Sequence, residues 1–424
     1  MINRTVAPES KSIDNIHIIA PEKGALDNHI PFYTMKGLEQ PMLRIEFIID
    51  NVWFDPNKPL NGMAVCALIK NGTKHRNAKQ IVEFIDLYGA FLDAEYASDR
   101  ITLTLYVLDK HFEHVLPIVK EILTESTFPE EEVAIYKKNQ QARFKVNLQK
   151  NDFLVKKAFA HEVFGDSPYG IDVQMEHYEH LTREDLLAYY NASFVAYNMK
   201  IILSGFAQEK HFSIVNRLFG QGISEKEIKN EIQYSYQSDQ GRKIYMEKED
   251  ALQSAIRIGK RTITRAHPDF PGFSMLCIVL GGYFGSRLMT NIREDKGFTY
   301  GISASLVPMK HVGQFYISTE VGVDVCSAAL TEIYKEIDLL RSEEISAEEL
   351  ALVKNYMLGS LLGSLENIFS HTQKFKNVLF TDMDLSYYET YIQTIKNMDA
   401  STLLKLAQKY LDPTSLIEVV VGKK

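Results

Sequence analysis

The chain has 424 residues, of which 45% are hydrophobic and 24% charged, and its formal net charge is -8 at pH 7. This length and apolar content suffice to bury sizeable cores, which favours two or three domains and excludes general disorder. The acidic balance argues against a nucleic-acid-binding protein, because phosphate recognition needs a clustered surplus of lysine and arginine. The three cysteines are odd in number and far apart, which excludes a disulfide framework and a thiolate metal site.

The N-terminus contains no apolar segment of the kind that targets or anchors a protein. Residues 1–4 lead into the polar residues 9–11, and no later stretch is an uninterrupted membrane-spanning run. We therefore predict a cytoplasmic protein that does not associate with a membrane.

The first half of the chain predicts an ordered series of strands and helices. The pair Tyr88-Gly89 precedes an alternating strand pattern over residues 100–107, and a helical pattern follows over residues 111–123. A long amphipathic helix then begins at Glu130, and a strand is predicted over residues 199–205.

The second half repeats this order. The pair Tyr300-Gly301 precedes a strand over residues 313–319 and a helix over 324–340, a long helix begins at Ala347, and a strand follows over 416–422. The offset is 212 residues for the Tyr-Gly pairs (300 − 88) and 217 for the ends of the last strands (422 − 205). Repetition at nearly one offset indicates an internal duplication. Each half is predicted to be an α+β domain with a mixed or antiparallel sheet covered by helices.

The boundary between the two domains is predicted in a polar segment. Residues 221–241 are rich in lysine, glutamate, asparagine and serine, a composition typical of a linker. We place the boundary near residue 230, which gives an N-terminal domain over residues 1–230 and a C-terminal domain over residues 231–424.

The stretch from residue 281 to residue 300 combines a glycine loop with an arginine and a tyrosine. Arg293 supplies a permanent cation with five donors and Tyr300 a phenolic donor, which suits them to hold a polar backbone or a developing oxyanion. The glycines fit neither a P-loop nor a G-x-G-x-x-G pattern, so close packing or the approach of substrate to the backbone explains them better. We expect Gly297 to end the helix that carries Arg293, and Tyr300 to begin the next strand.

This duplicated chain resembles the insulinase/pitrilysin family of zinc peptidases, the inverzincins. The resemblance covers nearly the whole chain, and its closest part is the stretch from Gly282 to Tyr300. Residues 26–30 resemble the opening strand of the family, and residues 62–74 resemble its first active-site helix. The stretches 167–170 and 181–186 resemble the run that follows the long helices of the family.

The family binds zinc through an H-x-x-E-H helix in the first half and through a glutamate on a later helix, and the glutamate of the motif serves as general base. Here residues 62–73 contain neither histidine nor carboxylate, and residues 136–145 contain no acidic side chain. A catalytic zinc ion needs three protein ligands and an open water position. We therefore predict no metal site and no cofactor in this chain, and no zinc peptidase activity of the chain alone.

A second group of potential metal ligands lies elsewhere. His177 and His180 stand three residues apart beside Glu176 and Glu179, so a metal site is conceivable. Their order, H-x-E-H, differs from H-x-x-E-H, and the interpretation we favour is a solvated helix face.

Some members of the family are split into two chains, of which one keeps the zinc helix and the other contributes an arginine and a tyrosine. The resemblance thus implies a non-zinc subunit of a heterodimeric metallopeptidase, in which Arg293 and Tyr300 face the zinc site of a homologous H-x-x-E-H partner. Peptides or unfolded proteins would be the substrates, and Gly281, Gly282, Ser286 and Arg287 are the predicted substrate-binding residues. Two alternatives remain open, a catalytically inert structural or assembly subunit and a peptide-binding homodimer of the same fold.

Overall fold

A computed structural model of the protein describes residues 13, 16–37, 40–227, 232, 234, 236 and 240–424. The strands of the first half form one sheet with the order β1-β2-β6-β3-β5-β4, in which β2 and β6 are parallel and the other neighbours antiparallel. Its strands are β1 (Glu22–Ala25), β2 (Pro31–Lys36), β3 (Met42–Asp50), β4 (Phe91–Ala97), β5 (Arg100–Leu108) and β6 (Met199–Gly205). The helices of this half are α1 (Asn61–Leu68), α2 (Ala78–Leu87), α3 (Phe112–Glu125), α4 (Glu130–Asn147), α5 (Asn151–Phe164), α6 (Met175–Glu179), α7 (Arg183–Ser193) and α8 (Glu209–Phe219).

The second half forms a sheet with the order β7-β11-β8-β10-β9. Its strands are β7 (Arg242–Glu247), β8 (Gln253–Thr262), β9 (Ile302–Pro308), β10 (Gly313–Gly322) and β11 (Ile417–Gly422). Its α-helices are α9 (Phe270–Cys277), α10 (Cys326–Ser342), α11 (Ala347–Gly363), α12 (Ile368–Leu379), α13 (Ser386–Asn397) and α14 (Ala400–Tyr410). Two π-helical segments, Ile278–Gly282 and Met289–Asp295, lie between α9 and β9.

The two sheets have the same topology. When β2, β6, β3, β5 and β4 are matched in turn with β7, β11, β8, β10 and β9, the strand order is identical, and only β1 lacks a counterpart. In both sheets the parallel pair joins the first of these strands to the last. The predicted α+β fold with two homologous halves is therefore confirmed. Residue 230 lies outside the described residues, and the boundary there stays a prediction.

One local prediction is wrong. Residues 26–30 do not form a strand but the turn between β1 and β2, which the hydrogen bond from the Leu26 amide to the Ile30 carbonyl closes at 3.0 Å. His29 has a φ of 64°, a left-handed conformation that a strand does not accommodate.

Each sheet is packed against a helix that the other half of the chain supplies. Helix α5 packs on β8 and β11, where Val155 and Phe159 join Val419 in one buried cluster. Helix α12 packs on β2 and β6, and the ring of its Phe375 lies 5.0 Å from that of Tyr33. The two helices begin 217 residues apart (368 − 151), the offset that the sequence predicts, so the exchange is symmetric. Neither half completes its core without the other.

A buried ion pair fastens α12 to the first sheet. The Lys376 ammonium lies 2.5 Å from the Glu46 carboxylate on β3, and Arg44 lies 3.2 Å from the other oxygen of that carboxylate. Glu46 is 2% exposed, and both cations are buried as well. The Arg44 guanidinium also stacks on Phe369 at 4.9 Å and donates to its carbonyl at 3.3 Å.

The equivalent contact in the other sheet uses different chemistry. Glu46 is paired with Ile202, and Arg257 is paired with Val419, the residue that follows Ile202 by the 217-residue offset. Phe159 on α5 likewise precedes Lys376 by 217 residues (376 − 159), and the Arg257 guanidinium lies 5.5 Å from its ring. The duplication therefore retains the position of the contact but joins one seam by an ion pair and the other by a cation–π contact.

None of the helices that the structure describes is long and apolar enough to cross a membrane. The cytoplasmic location stays a prediction from the sequence.

We predict that Glu46→Ala lowers the free energy of unfolding by about 3 kcal/mol, because it leaves two buried cations without their carboxylate. Urea unfolding followed by circular dichroism measures this change. Glu83→Ala is the matched control, since Glu83 forms only an exposed pair with Lys79, and it should leave stability almost unchanged. Equal effects of the two substitutions would contradict the role assigned to the buried pair.

Candidate functional site

The glycine loop begins where α9 ends. The chain passes from α9 into the π-helical segment Ile278–Gly282, a conformation that is rare and frequently found at functional sites. A Cβ atom at Gly281 would lie 2.5 Å from the Ala304 amide nitrogen on β9, and one at Gly282 would lie 2.6 Å from the Ile278 side chain. Glycine is therefore needed at both positions so that the loop can pack against the edge strand of the second sheet.

Ser286 and Arg287 begin the next helical segment and bind within the fold. Ser286 is buried, its carbonyl accepts from the Thr290 amide at 2.9 Å, and its hydroxyl has no partner among the described residues. Arg287 forms a bidentate pair with Glu349 in the first turn of α11, at 2.9 and 2.8 Å. These hydrogen bonds raise the pKa of Arg287, which stays charged. Its guanidinium ties the loop to α11, and its use in binding substrate stays a prediction.

Arg293 lies in the second π-helical segment, Met289–Asp295, and is partly exposed. Its guanidinium stacks on the ring of Phe284 at 4.6 Å and forms no ion pair or hydrogen bond with any described residue. The alternative of a salt bridge to Glu294 is thus not observed. Asn291 holds this segment on α10 by donating to Glu332 at 3.0 Å and to Glu336 at 2.7 Å. The cation is fixed by an aromatic ring while its donors remain available.

Tyr300 lies on the turn that follows, and its side chain is 94% exposed. Strand β9 begins at Ile302 rather than at Tyr300, because the Thr299 hydroxyl binds the backbone there in place of a strand partner. This hydroxyl donates to the Glu320 carbonyl at 2.7 Å and accepts from the Gly301 amide at 3.1 Å. The backbone on both sides of Tyr300 is therefore tied to the second sheet, although its phenol contacts nothing.

The structure connects Arg293 and Tyr300 through a short turn. Gly297 has a φ of 65° and follows the π-helical segment, the position at which a helix commonly ends in a left-handed residue. No hydrogen bond joins the two side chains in the described part of the chain. Their convergence on one substrate group stays a prediction.

The region that resembles the zinc helix of the family does not fit a zinc ion. Val65, Leu68 and Ile69, on and just after α1, are apolar and buried. A Cβ at Gly62 would meet the Tyr189 hydroxyl at 2.7 Å, so aromatic side chains fill the space beside the helix. Within the described ranges, no group of three or more His, Cys, Asp or Glu side chains is placed to hold a metal.

The histidine pair of the first half has a local role instead. His177 Nδ1 accepts from the Gln174 amide at 2.9 Å and so caps the short helix α6. His180 is exposed at its end.

Phe284 is the site residue that the sequence analysis missed. It is 61% exposed, which is unusual for a phenylalanine, and its ring supports Arg293. The available signal was an aromatic residue inside a glycine loop, nine residues before the arginine (293 − 284). That signal is weak, since single exposed apolar residues are common on protein surfaces.

We predict that Gly281→Ala lowers the free energy of unfolding by about 1–3 kcal/mol, because the new methyl group overlaps the backbone of β9. Gly301→Ala is the control, since a Cβ there meets nothing within 4 Å. Thermal unfolding of both variants measures the difference. If the two substitutions had the same effect, the close approach of the loop to β9 would be wrong.

Comparison with known proteins places this geometry in a family. Residues 57–175 match the model of the insulinase family, peptidase family M16, and residues 180–357 match the model of the peptidase M16 inactive domain. The "Uncharacterized zinc protease YmxG" of Bacillus subtilis is 23% identical over 342 residues, which cover 78% of this chain and 80% of that protein. The "Non-peptidase homolog YmxG" of Helicobacter pylori is 21% identical over 366 residues, covering 84% and 83% of the two chains.

A solved structure shows the same fold. The crystal structure of a peptidase M16 inactive domain from Pseudomonas fluorescens matches with a TM-score of 0.84 at 20% identity, over 95% of this chain and 98% of that chain. Together with the two family models, this similarity agrees with the duplicated architecture and with the apolar side chains on α1. The chain belongs to the insulinase family of peptidases, peptidase family M16.

Proposed function

We propose that this protein is the non-zinc subunit of a two-chain metallopeptidase, which binds peptide and stabilises the transition state with Arg293 and Tyr300. The observation that carries the proposal is an arginine without an acidic partner and a fully exposed tyrosine, held on one anchored turn. The zinc ion and the general base would belong to a homologous H-x-x-E-H partner.

The environment of Arg293 supports this role. A guanidinium that is already paired with a carboxylate has little to offer an incoming negative charge, but Arg293 is stacked on Phe284 and retains its donors. Such a preorganised donor needs little reorganisation when an oxyanion develops. One donor of this kind typically contributes about 3 kcal/mol to the stability of the transition state.

The exposure of Tyr300 supports a partner surface opposite it. A tyrosine side chain that is 94% exposed contributes nothing to the packing of this chain. The backbone beside it is nevertheless fixed by the hydroxyl of Thr299. A rigid turn that presents a phenol to solvent is well suited to donate a hydrogen bond to a group bound between two subunits.

The adjacent sheet edge is suited to an extended peptide. Strand β9 follows Tyr300 directly and forms the edge of the second sheet, so one side of its backbone is unpaired among the described strands. A peptide in extended conformation can add to such an edge through main-chain hydrogen bonds. Gly281 and Gly282 keep the neighbouring loop close to this strand. Unfolded peptides are therefore the substrate class that we propose.

We predict that the mixture with a zinc-bearing H-x-x-E-H homologue cleaves a quenched fluorescent peptide, and that Arg293→Ala lowers kcat/KM about 100-fold because one transition-state donor is lost. Tyr300→Phe should lower it in the same direction. The chain is dialysed against a chelator before mixing, so that the partner supplies the zinc.

Two variants control for general effects of the substitutions. Arg217→Ala removes an exposed arginine that pairs with Glu113, and Tyr197→Phe removes the hydroxyl of another exposed tyrosine. Both should retain the full rate. Activity that survives Arg293→Ala and Tyr300→Phe unchanged would favour the inert structural subunit or the peptide-binding homodimer instead.

A further inference from the structure

A second cavity lies in the C-terminal half, away from the turn that carries Arg293 and Tyr300. It has a volume of about 360 Å³ and is enclosed by α9, β9, α11, α12 and α13. This volume lies within the range of small-molecule sites, roughly 300–1,000 Å³. The role proposed above for Arg293 and Tyr300 makes no use of this cavity.

Two cations line the cavity, and no carboxylate does. Arg265 and Lys374 are its charged lining residues. Neither forms an ion pair with any residue that the structure describes, and both are partly buried. Burial, together with the neighbouring charge of Arg265, lowers the pKa of Lys374. Two like charges that face one space without a counterion indicate a site for an anion.

Unsatisfied donors face the same space. The Arg265 Nε atom and the Tyr387 hydroxyl are buried and have no hydrogen-bond partner in the described part of the chain. Tyr387 is 8% exposed, and burial raises the pKa of its phenol, which therefore stays a neutral donor. A buried donor without an acceptor costs free energy, roughly 1–3 kcal/mol, so native proteins rarely retain one without a reason.

The positions of these groups are fixed by the fold. The Arg265 guanidinium stacks on Phe270 and on Tyr387, each at 5.5 Å. The Tyr388 hydroxyl donates to the Lys374 carbonyl at 3.1 Å, which ties α13 to the exchanged helix α12. The cations are thus held in place before any ligand arrives, as a binding site requires.

From this arrangement we infer that the cavity binds a small organic anion, whose phosphate or carboxylate group pairs with Arg265 and Lys374 and accepts from the Tyr387 hydroxyl. The remaining wall is largely apolar and aromatic, and it includes Ile278, Leu306, Pro308 and Tyr356. An apolar body attached to the anionic group would contact this wall. The ligand class is therefore an anion that carries an aromatic or aliphatic group, rather than a free inorganic ion.

Isothermal titration calorimetry with phenyl phosphate tests the inference on the intact protein at constant ionic strength. We expect saturable binding with one site per chain, tighter than that of inorganic phosphate, and no binding of phenol. Lys374→Gln and Arg265→Gln should each weaken binding at least tenfold. Lys405→Gln, which removes an exposed lysine of α14, should bind as the wild type does.

The stability of the unliganded variants separates a binding site from a structural one. Tyr387→Phe removes a hydroxyl that has no partner, so its melting temperature should equal or exceed that of the wild type, whereas its affinity for phenyl phosphate should fall. Lys374→Gln should likewise not lower the melting temperature, because it relieves the repulsion by Arg265. Absence of saturable binding of phenyl phosphate, or equal affinity of the wild type and both charge variants, would overturn the inference.

Discussion

Each sheet of this protein is completed by a helix that the other half of the chain supplies. Helices α5 and α12 are exchanged symmetrically, so burial of apolar surface holds the halves together as much as it builds either of them. The seam on the first sheet additionally contains the buried pair of Lys376 and Glu46, and the seam on the second contains Arg257 over Phe159. A charged pair and a cation–π contact at equivalent positions show that the duplicated halves share geometry while their chemistry has diverged.

The candidate site follows from the same divergence. In the first half, the helix that resembles the zinc helix of the family presents Val65, Leu68 and Ile69 to the core. In the second half, the segment between α9 and β9 is interrupted by π-helical turns and carries a cation without an acidic partner. Apolar packing has thus replaced ligand chemistry in one copy, whereas donors that contribute nothing to packing remain in the other. This contrast distinguishes half of a shared active site from a chain that has become purely structural.

The sequence predicts most of the architecture, because the duplication tests each element twice. The strand over residues 199–205 matches β6 at both ends, since an apolar run is bounded there by a helix and a glycine. Exchange of α5 and α12 could not be predicted, because an apolar helix face does not reveal which sheet covers it. Phe284 escaped notice because its role depends on a contact with Arg293 in space. The start of β9 was misplaced by two residues because side-chain hydrogen bonds of Thr299 replace strand pairing.

The central claim is that Tyr300 faces the zinc site of another chain. The most direct measurement places the photoreactive amino acid p-benzoylphenylalanine at position 300, where full exposure lets it replace tyrosine without disturbing the fold. After irradiation with a zinc-bearing H-x-x-E-H homologue, mass spectrometry identifies the crosslinked peptides. The account predicts crosslinks to the partner's H-x-x-E-H helix or to strands that border it. Crosslinks only to remote surfaces of the partner, or none above the level obtained from position 197, would contradict it.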